Sequence, residues 1–189
     1  MARPKKLPKV LTTEEQCALV AQPNPRYTSG LRNRCLIRVA LEAGLRAGEL
    51  VALKPDHLDM LTCRLVVREG KGAKDRVLWI SDNLRDLVGR WLERRPVSAW
   101  LFPTRDGGQL DTRYLRTMVK HYAVKAGVSE SERVTPHVLR HTFATDLLRE
   151  TKNIILVQKA LGHSDVSTTM IYTHVQDDEP KAALRRRET

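Results

Sequence analysis

Residues Arg64–Ser81 read RLVVREGKGAKDRVLWIS, and this stretch decides the fold class because its pattern breaks with everything around it. RLVVRE and RVLWIS alternate apolar and polar side chains at period two, the repeat of a strand with one buried face. The six residues between them, GKGAKD, are turn-forming. Two antiparallel strands joined by a turn are therefore expected here. No other segment offers a convincing strand, so the chain is expected to be mainly α with a small antiparallel β-hairpin or sheet.

Outward from the hairpin the apolar period becomes helical. Thr12 and Thr13, with Glu15 and Gln16 at capping-box spacing, predict a short helix that Pro23 and Pro25 close. Ser29 to Ala43 places Leu31, Cys35, Leu36, Val39, Ala40 and Ala43 on one face, with Gly44 as its stop. Gly48 to Leu53 adds one or two turns before Pro55. After the hairpin, helices are expected over Asn83–Arg94 and Thr112–Ala126, separated by a loop through FPTRDGG. Pro136 stands where an N1 proline belongs and opens PHVLRHTFATDLLRE. Two short helices follow, NIILVQKALG and a segment around Val166 to His174. There is no internal repeat and no low-complexity segment.

The chain has 189 residues, 41% of them hydrophobic, enough for one ordinary core. Lys and Arg number 33 against 22 Asp and Glu, a formal net charge of +11. That excess points to a polyanionic partner, most simply nucleic acid, because each neutralised phosphate releases condensed counterions. Cys17, Cys35 and Cys63 are odd in number and form no C-x-x-C pair. They read as reduced, mostly buried thiols, which fits a cytoplasmic location. The N-terminal MARPKKLPKV has no apolar h-region, and the chain nowhere offers the ~18 consecutive apolar residues of a membrane helix. Neither secretion nor membrane association is expected.

Four short motifs carry chemistry. In AGLRAGELVAL, Arg46 follows a Gly-terminated helix, and Glu49 three residues on shares its face and is able to orient the guanidinium. An arginine held by a carboxylate presents a rigid fork suited to phosphate oxygens. In EGKGAKD, Lys71 sits between two glycines, where its ammonium swings free; a solvated hairpin tip explains GKG equally well. In PHVLRH, His137 and Arg140 are three apart on one helix face, with His141 beside them. Histidines at i and i+4 also occur in zinc helices, but the glutamate of H-E-x-x-H is missing and an arginine occupies the metal's place, so no metal is expected. In LGHSDVSTTMIYTHV, Tyr172 lies nine residues after His163. Near a chain terminus a tyrosine usually packs in a core or interface. As a nucleophile it starts poorly, since only about one part in a thousand is phenolate at neutral pH. Cationic neighbours around a phosphate would favour that phenolate and stabilise the charge that builds in the transition state.

Taken in order, GLRAGEL, GKGAKD, PHVLRHTFATDLL and LGHSDVSTTMIYTH resemble the catalytic domain of the tyrosine recombinases, the phage-integrase and Xer-type family. The resemblance runs from about Leu7 to His174. It implies the DNA breaking-rejoining fold, with residues 1–10 as a basic arm or linker, 11–175 as the catalytic domain and 176–189 as a C-terminal tail. It further implies that Arg46 and Arg140 clamp the nonbridging oxygens of the scissile phosphate, with Glu49 bracing Arg46. Lys71 would be general acid for the departing 5′-oxygen, His137 would assist proton transfer with the tyrosine, and His163 would hydrogen-bond the phosphate. Tyr172 would attack, leaving a 3′-phosphotyrosyl link and a free 5′-hydroxyl, with neither cofactor nor metal.

The resemblance also implies a double-stranded DNA partner, a monomer when free and a homotetramer on synapsed DNA. Lys74, Arg113, Arg116 and Lys120 are the further candidates for DNA contact, although a solvated face explains the helix cations equally well. Relatives carry an N-terminal core-binding domain, where this sequence has only MARPKKLPK; a catalytic-domain fragment and a minimal enzyme both fit. The tail DDEPKAALRRRET is either solvated or a segment that docks on a neighbouring protomer. Two other functions stay open: a catalytically silent DNA-binding regulator, and a type IB topoisomerase-like enzyme that religates the same strand.

Overall fold

The computed structural model describes residues 9–68 and 75–162. Seven α-helices and a three-stranded sheet are present among them: α1 Thr13–Ala21, α2 Thr28–Ala43, α3 Ala47–Val51, β1 Leu58–Asp59, β2 Arg64–Val67, β3 Arg76–Trp79, α4 Asp82–Leu92, α5 Thr112–Lys125, α6 Pro136–Thr151 and α7 Ile154–Leu161. Single 3-10 turns cover Pro55–His57 and Ser131–Arg133. The expected helix around Val166 to His174 lies outside the described residues.

Local chemistry explains most boundaries. Thr12 caps α1 reciprocally with Glu15: the hydroxyl accepts from the Glu15 N–H at 3.2 Å, and the Thr12 N–H donates to the Glu15 carboxylate at 3.1 Å. Ser81, Asp111, Thr135 and Asn153 cap α4, α5, α6 and α7 through their side chains. Gly44 ends α2 in the left-handed region at φ +59°. A Cβ there would stand 2.1 Å from Phe143 Cδ1, so the close approach of α2 and α6 depends on this glycine.

The core is built around α2, which packs against α6, α4 and α1. Leu31, Cys35, Leu36, Val39, Ala40 and Ala43 are all buried there. Arg32 and Asn33 are buried as well; Arg32 donates to the Pro103 carbonyl and the Tyr114 hydroxyl, each at 2.7 Å. The thiols differ from expectation in one respect: Cys35 is buried and its thiol is pushed up to about 12 by burial, but Cys17 is exposed because it falls on the outer side of α1.

The strands β2 and β3 pair antiparallel in the register Leu65↔Leu78 and Val67↔Arg76. Their inward row is Leu65, Val67, Leu78 and, unexpectedly for a cation, Arg76, which is 8% exposed. Val77 and Trp79 point out. The third strand, β1, pairs with β2 through Leu58↔Leu65. At two residues it is too short to show a period in the sequence. At the other edge of the sheet, β3 packs against α7.

Candidate active site

Three chain ends meet beside the sheet: the C-terminus of α2 at Gly44, the N-terminus of α3 at Arg46, and the C-terminus of α7 at Leu161–Gly162. The residues placed there make one connected cluster around the carboxylate of Glu49, whose side chain is 11% exposed. Arg46 is the N-cap of α3. Its backbone N–H donates to Glu49 Oε2 at 2.7 Å and its Nη1 to Oε1 at 2.8 Å. Arg76 approaches the same carboxylate as a fork, Nη1 to Oε1 at 3.2 Å and Nη2 to Oε2 at 2.7 Å. Arg140 Nη1 lies 3.8 Å from Oε2.

Burial alone would raise the Glu49 pKa, but the hydrogen bonds from Arg76 and Arg46 and the Arg76 charge outweigh it and hold the carboxyl at about 2. Glu49 is therefore ionised at any physiological pH. Three guanidiniums thus gather around one carboxylate. The Arg46 side chain is 46% exposed whereas Arg76 and Arg140 are at 7% and 5%. The cluster thus reaches solvent at Arg46.

Arg140 is fixed by two carbonyls at helix ends, Gly44 O at 2.6 Å from Nη1 and Leu161 O at 2.7 Å from Nη2. Helix C-terminal carbonyls carry partial negative charge and suit a buried cation. Arg46 Nη2 reaches the Gly162 carbonyl at 3.5 Å, the outer limit of a hydrogen bond. His137 lies one turn before Arg140 on α6. Partial burial first, and then the Arg140 charge, lower its pKa, which favours the neutral imidazole at pH 7. His137 Nε2 is 2.7 Å from His141 Nε2, with the rings nearly perpendicular at 80°. One of the two nitrogens carries the proton and the other accepts it.

The structure thus brings together Arg46, Glu49 and Arg140, with His137 adjacent along α6. Arg113, Arg116 and Lys120 lie elsewhere, on the exposed side of α5 at i, i+3 and i+7, so they form one basic stripe. Lys71, Lys74, His163 and Tyr172 lie outside the described residues; in the chain, His163 directly follows Gly162. The sequence reading missed Arg76. The signal was present: counting back two from the buried Leu78 along a period-two strand points Arg76 inward. Among the described residues, no three His, Cys, Asp or Glu side chains gather as a metal site, and no helix is long and apolar enough to cross a membrane.

The structure is a helical domain with a small antiparallel sheet and an arginine cluster anchored on one carboxylate. The chain belongs to the phage integrase family, whose model matches residues 9–179. It is 41% identical over 190 aligned positions to the tyrosine recombinase XerA of Thermococcus kodakarensis, covering 96% of this chain and 65% of the relative. To the tyrosine recombinase XerD of Vibrio cholerae it is 37% identical, covering 94% and 61%. The chain therefore spans somewhat under two thirds of the length of these relatives. Among solved structures, the crystal structure of XerA recombinase matches with a TM-score of 0.83 and 32% identity, over 98% of this chain and 67% of that one. The XerH site-specific recombinase bound to palindromic difH substrate, a post-cleavage complex, matches at 0.82 and 30% identity, over 97% and 54%. The fold is that of the tyrosine recombinase catalytic domain.

Proposed function

We propose that this chain is the catalytic part of a site-specific DNA recombinase, which cuts and rejoins strands by transesterification through Tyr172. The carrying observation is the cluster of Arg46, Arg76 and Arg140 on Glu49, which reaches solvent at the Arg46 guanidinium. Kinship with XerA and XerD, and the likeness to a recombinase bound to its DNA site, support double-stranded DNA as the partner.

The chemistry follows from the cluster. The Tyr172 oxygen attacks the phosphorus of a DNA phosphodiester, the P–O5′ bond breaks, and the 5′-oxygen leaves with a proton from Lys71. His137, whose pKa is lowered by partial desolvation and by Arg140, accepts the phenolic proton. Arg46 and Arg140 clamp the nonbridging oxygens and His163 hydrogen-bonds the phosphate, as charge rises in the transition state. Losing one preorganised donor of this kind costs about 3 kcal/mol of barrier. The phosphotyrosyl link conserves the phosphodiester, so a 5′-hydroxyl from a second duplex reverses the step onto a new partner. Arg113, Arg116, Lys120 and Lys74 supply backbone contacts that position DNA without reading it. The enzyme is a monomer in free solution and a homotetramer on paired sites, and it acts in the cytoplasm.

Covalent trapping tests this. Nicked suicide duplexes from the DNA flanking its own gene are incubated with wild type and Tyr172→Phe, and a protein–DNA adduct is sought on a denaturing gel. The expected result is an adduct with wild type and none with Tyr172→Phe, which still binds DNA. An adduct that persists in the variant removes Tyr172 as nucleophile; DNA binding without any adduct favours a silent binder. Recombinant junctions, rather than relaxed circles alone, separate a recombinase from a topoisomerase-like enzyme.

A further inference from the structure

Arg76 has no step of its own in the chemistry above, yet it makes three hydrogen bonds within the cluster. Buried charges are rare unless paired, and replacing a buried ion pair by apolar residues often leaves stability unchanged or improves it. Stability alone therefore does not account for a cation in the inward row of β3, at a place where Leu65, Val67 and Leu78 show that an apolar side chain fits.

Its contacts are more informative. The two terminal nitrogens bind both oxygens of Glu49, and Nε donates to the Ala160 carbonyl at 3.0 Å. One planar group thus joins α3, α7 and β3. Without Arg76, the only hydrogen bonds to Glu49 among the described residues would come from Arg46 itself, one from its side chain and one from its backbone, with the Arg140 charge 3.8 Å away. A carboxylate held on one side by the group it must orient is a weak template. The fork from Arg76 supplies an independent reference, anchored in the sheet and on the helix that leads to His163.

Resting on the recombinase reading above, we propose that Arg76 is a positioning residue: it locks the Glu49 carboxylate, and through Glu49 it sets the Arg46 guanidinium for the scissile phosphate. Lysine at this position keeps the charge but has no fork, so it cannot hold both Glu49 oxygens and the Ala160 carbonyl together. Leucine matches the neighbouring inward residues and removes the charge.

The test compares wild type, Arg76→Lys and Arg76→Leu for single-turnover cleavage of the trapped suicide duplex, with either the normal phosphodiester or a neutral methylphosphonate at the mapped cleavage position. DNA affinity and thermal midpoint are measured alongside. Loss of a group that orients a ligand costs about 10- to 100-fold, and that loss is expected for both variants on the phosphodiester, with DNA affinity kept. On the methylphosphonate, where one charged oxygen is gone, the ratio of wild type to variant is expected to shrink about tenfold, because less oxyanion charge depends on the clamp. A merely structural role would slow both substrates by the same factor. Equal slowing, an unimpaired Arg76→Lys, or variants that fail to fold would each overturn the proposal. If wild type itself forms no adduct, the recombinase reading falls and takes the proposal with it; a wild-type adduct matched by the variants overturns the proposal alone.

Discussion

Replacing Glu49 by Gln removes one negative charge and leaves Arg46, Arg76 and Arg140 facing one another across a neutral amide. The amide keeps one acceptor oxygen but turns an N–H₂ donor toward guanidiniums that have only donors to offer. The magnitude follows from the carboxyl's displacement from an ordinary 4.5 to about 2. At about 1.4 kcal/mol per pH unit, that difference corresponds to about 3 kcal/mol of native-state stability at neutral pH. With 11% of the side chain exposed, solvent screens little of it. Breaking a buried pair by removing one partner costs about 3–5 kcal/mol, in agreement. The loss is a large part of the ~5–15 kcal/mol typical of a domain. The folded-state pKa is depressed, so the Glu49 contribution is complete above the unfolded value near 4.5 and fades as pH falls toward about 2. Urea unfolding followed by tryptophan fluorescence suits the purpose, since Trp91 is 1% exposed and stacked on Phe102. Wild type is expected to exceed Glu49→Gln by about 3 kcal/mol at pH 7, and the gap to narrow by about 2 kcal/mol at pH 3. A gap below about 1 kcal/mol at pH 7, or one that stays constant down to pH 3, would refute this account of the cluster.

Other outcomes follow from the same geometry. Gly44→Ala forces a side chain into the left-handed region and onto Phe143, at a cost of about 2–4 kcal/mol, whereas Gly48→Ala, with nothing within 4 Å of the added Cβ, leaves stability unchanged or higher; thermal midpoints decide it. Because His137 titrates below the ordinary imidazole range, the acidic limb of the cleavage–pH profile is expected below about 6.5, rising with pH, and should disappear in His137→Gln. Lys71→Ala should slow cleavage of normal DNA and be rescued by a 5′-bridging phosphorothiolate, whose leaving group needs no proton; absence of rescue removes Lys71 as general acid.

Much of the fold was legible in the sequence because it is dictated over short distances. The Thr12–Glu15 capping box, the Gly44 stop, Pro136 at N1 and the period-two runs flanking GKGAKD each act within a few residues, and each element appears close to where they put it. The small strand Leu58–Asp59 escaped for the complementary reason: two residues hold no period, and only pairing with Leu65 and Arg64 makes them a strand. Of the site, Arg46, Glu49, His137 and Arg140 were found from local spacing and family likeness. The pairing of Arg46 with Glu49 was readable because Glu49 lies three positions after Arg46 at the start of a helix.

By itself, then, the sequence determined the helices and the hairpin strands, the basic character and the order of the family motifs, all of which depend on neighbours along the chain. Only the tertiary structure decided that Glu49 is shared by Arg46 and Arg76, and that the Arg140 fork closes on Gly44, 96 residues away, and on Leu161. Those contacts exist because α2, α6, α7 and β3 pack against one another, and packing brings together groups whose separation in sequence carries no signal of their meeting. For the same reason the period-two pattern can point Arg76 inward, but only the packed structure shows its fork on Glu49 and its bond to Ala160.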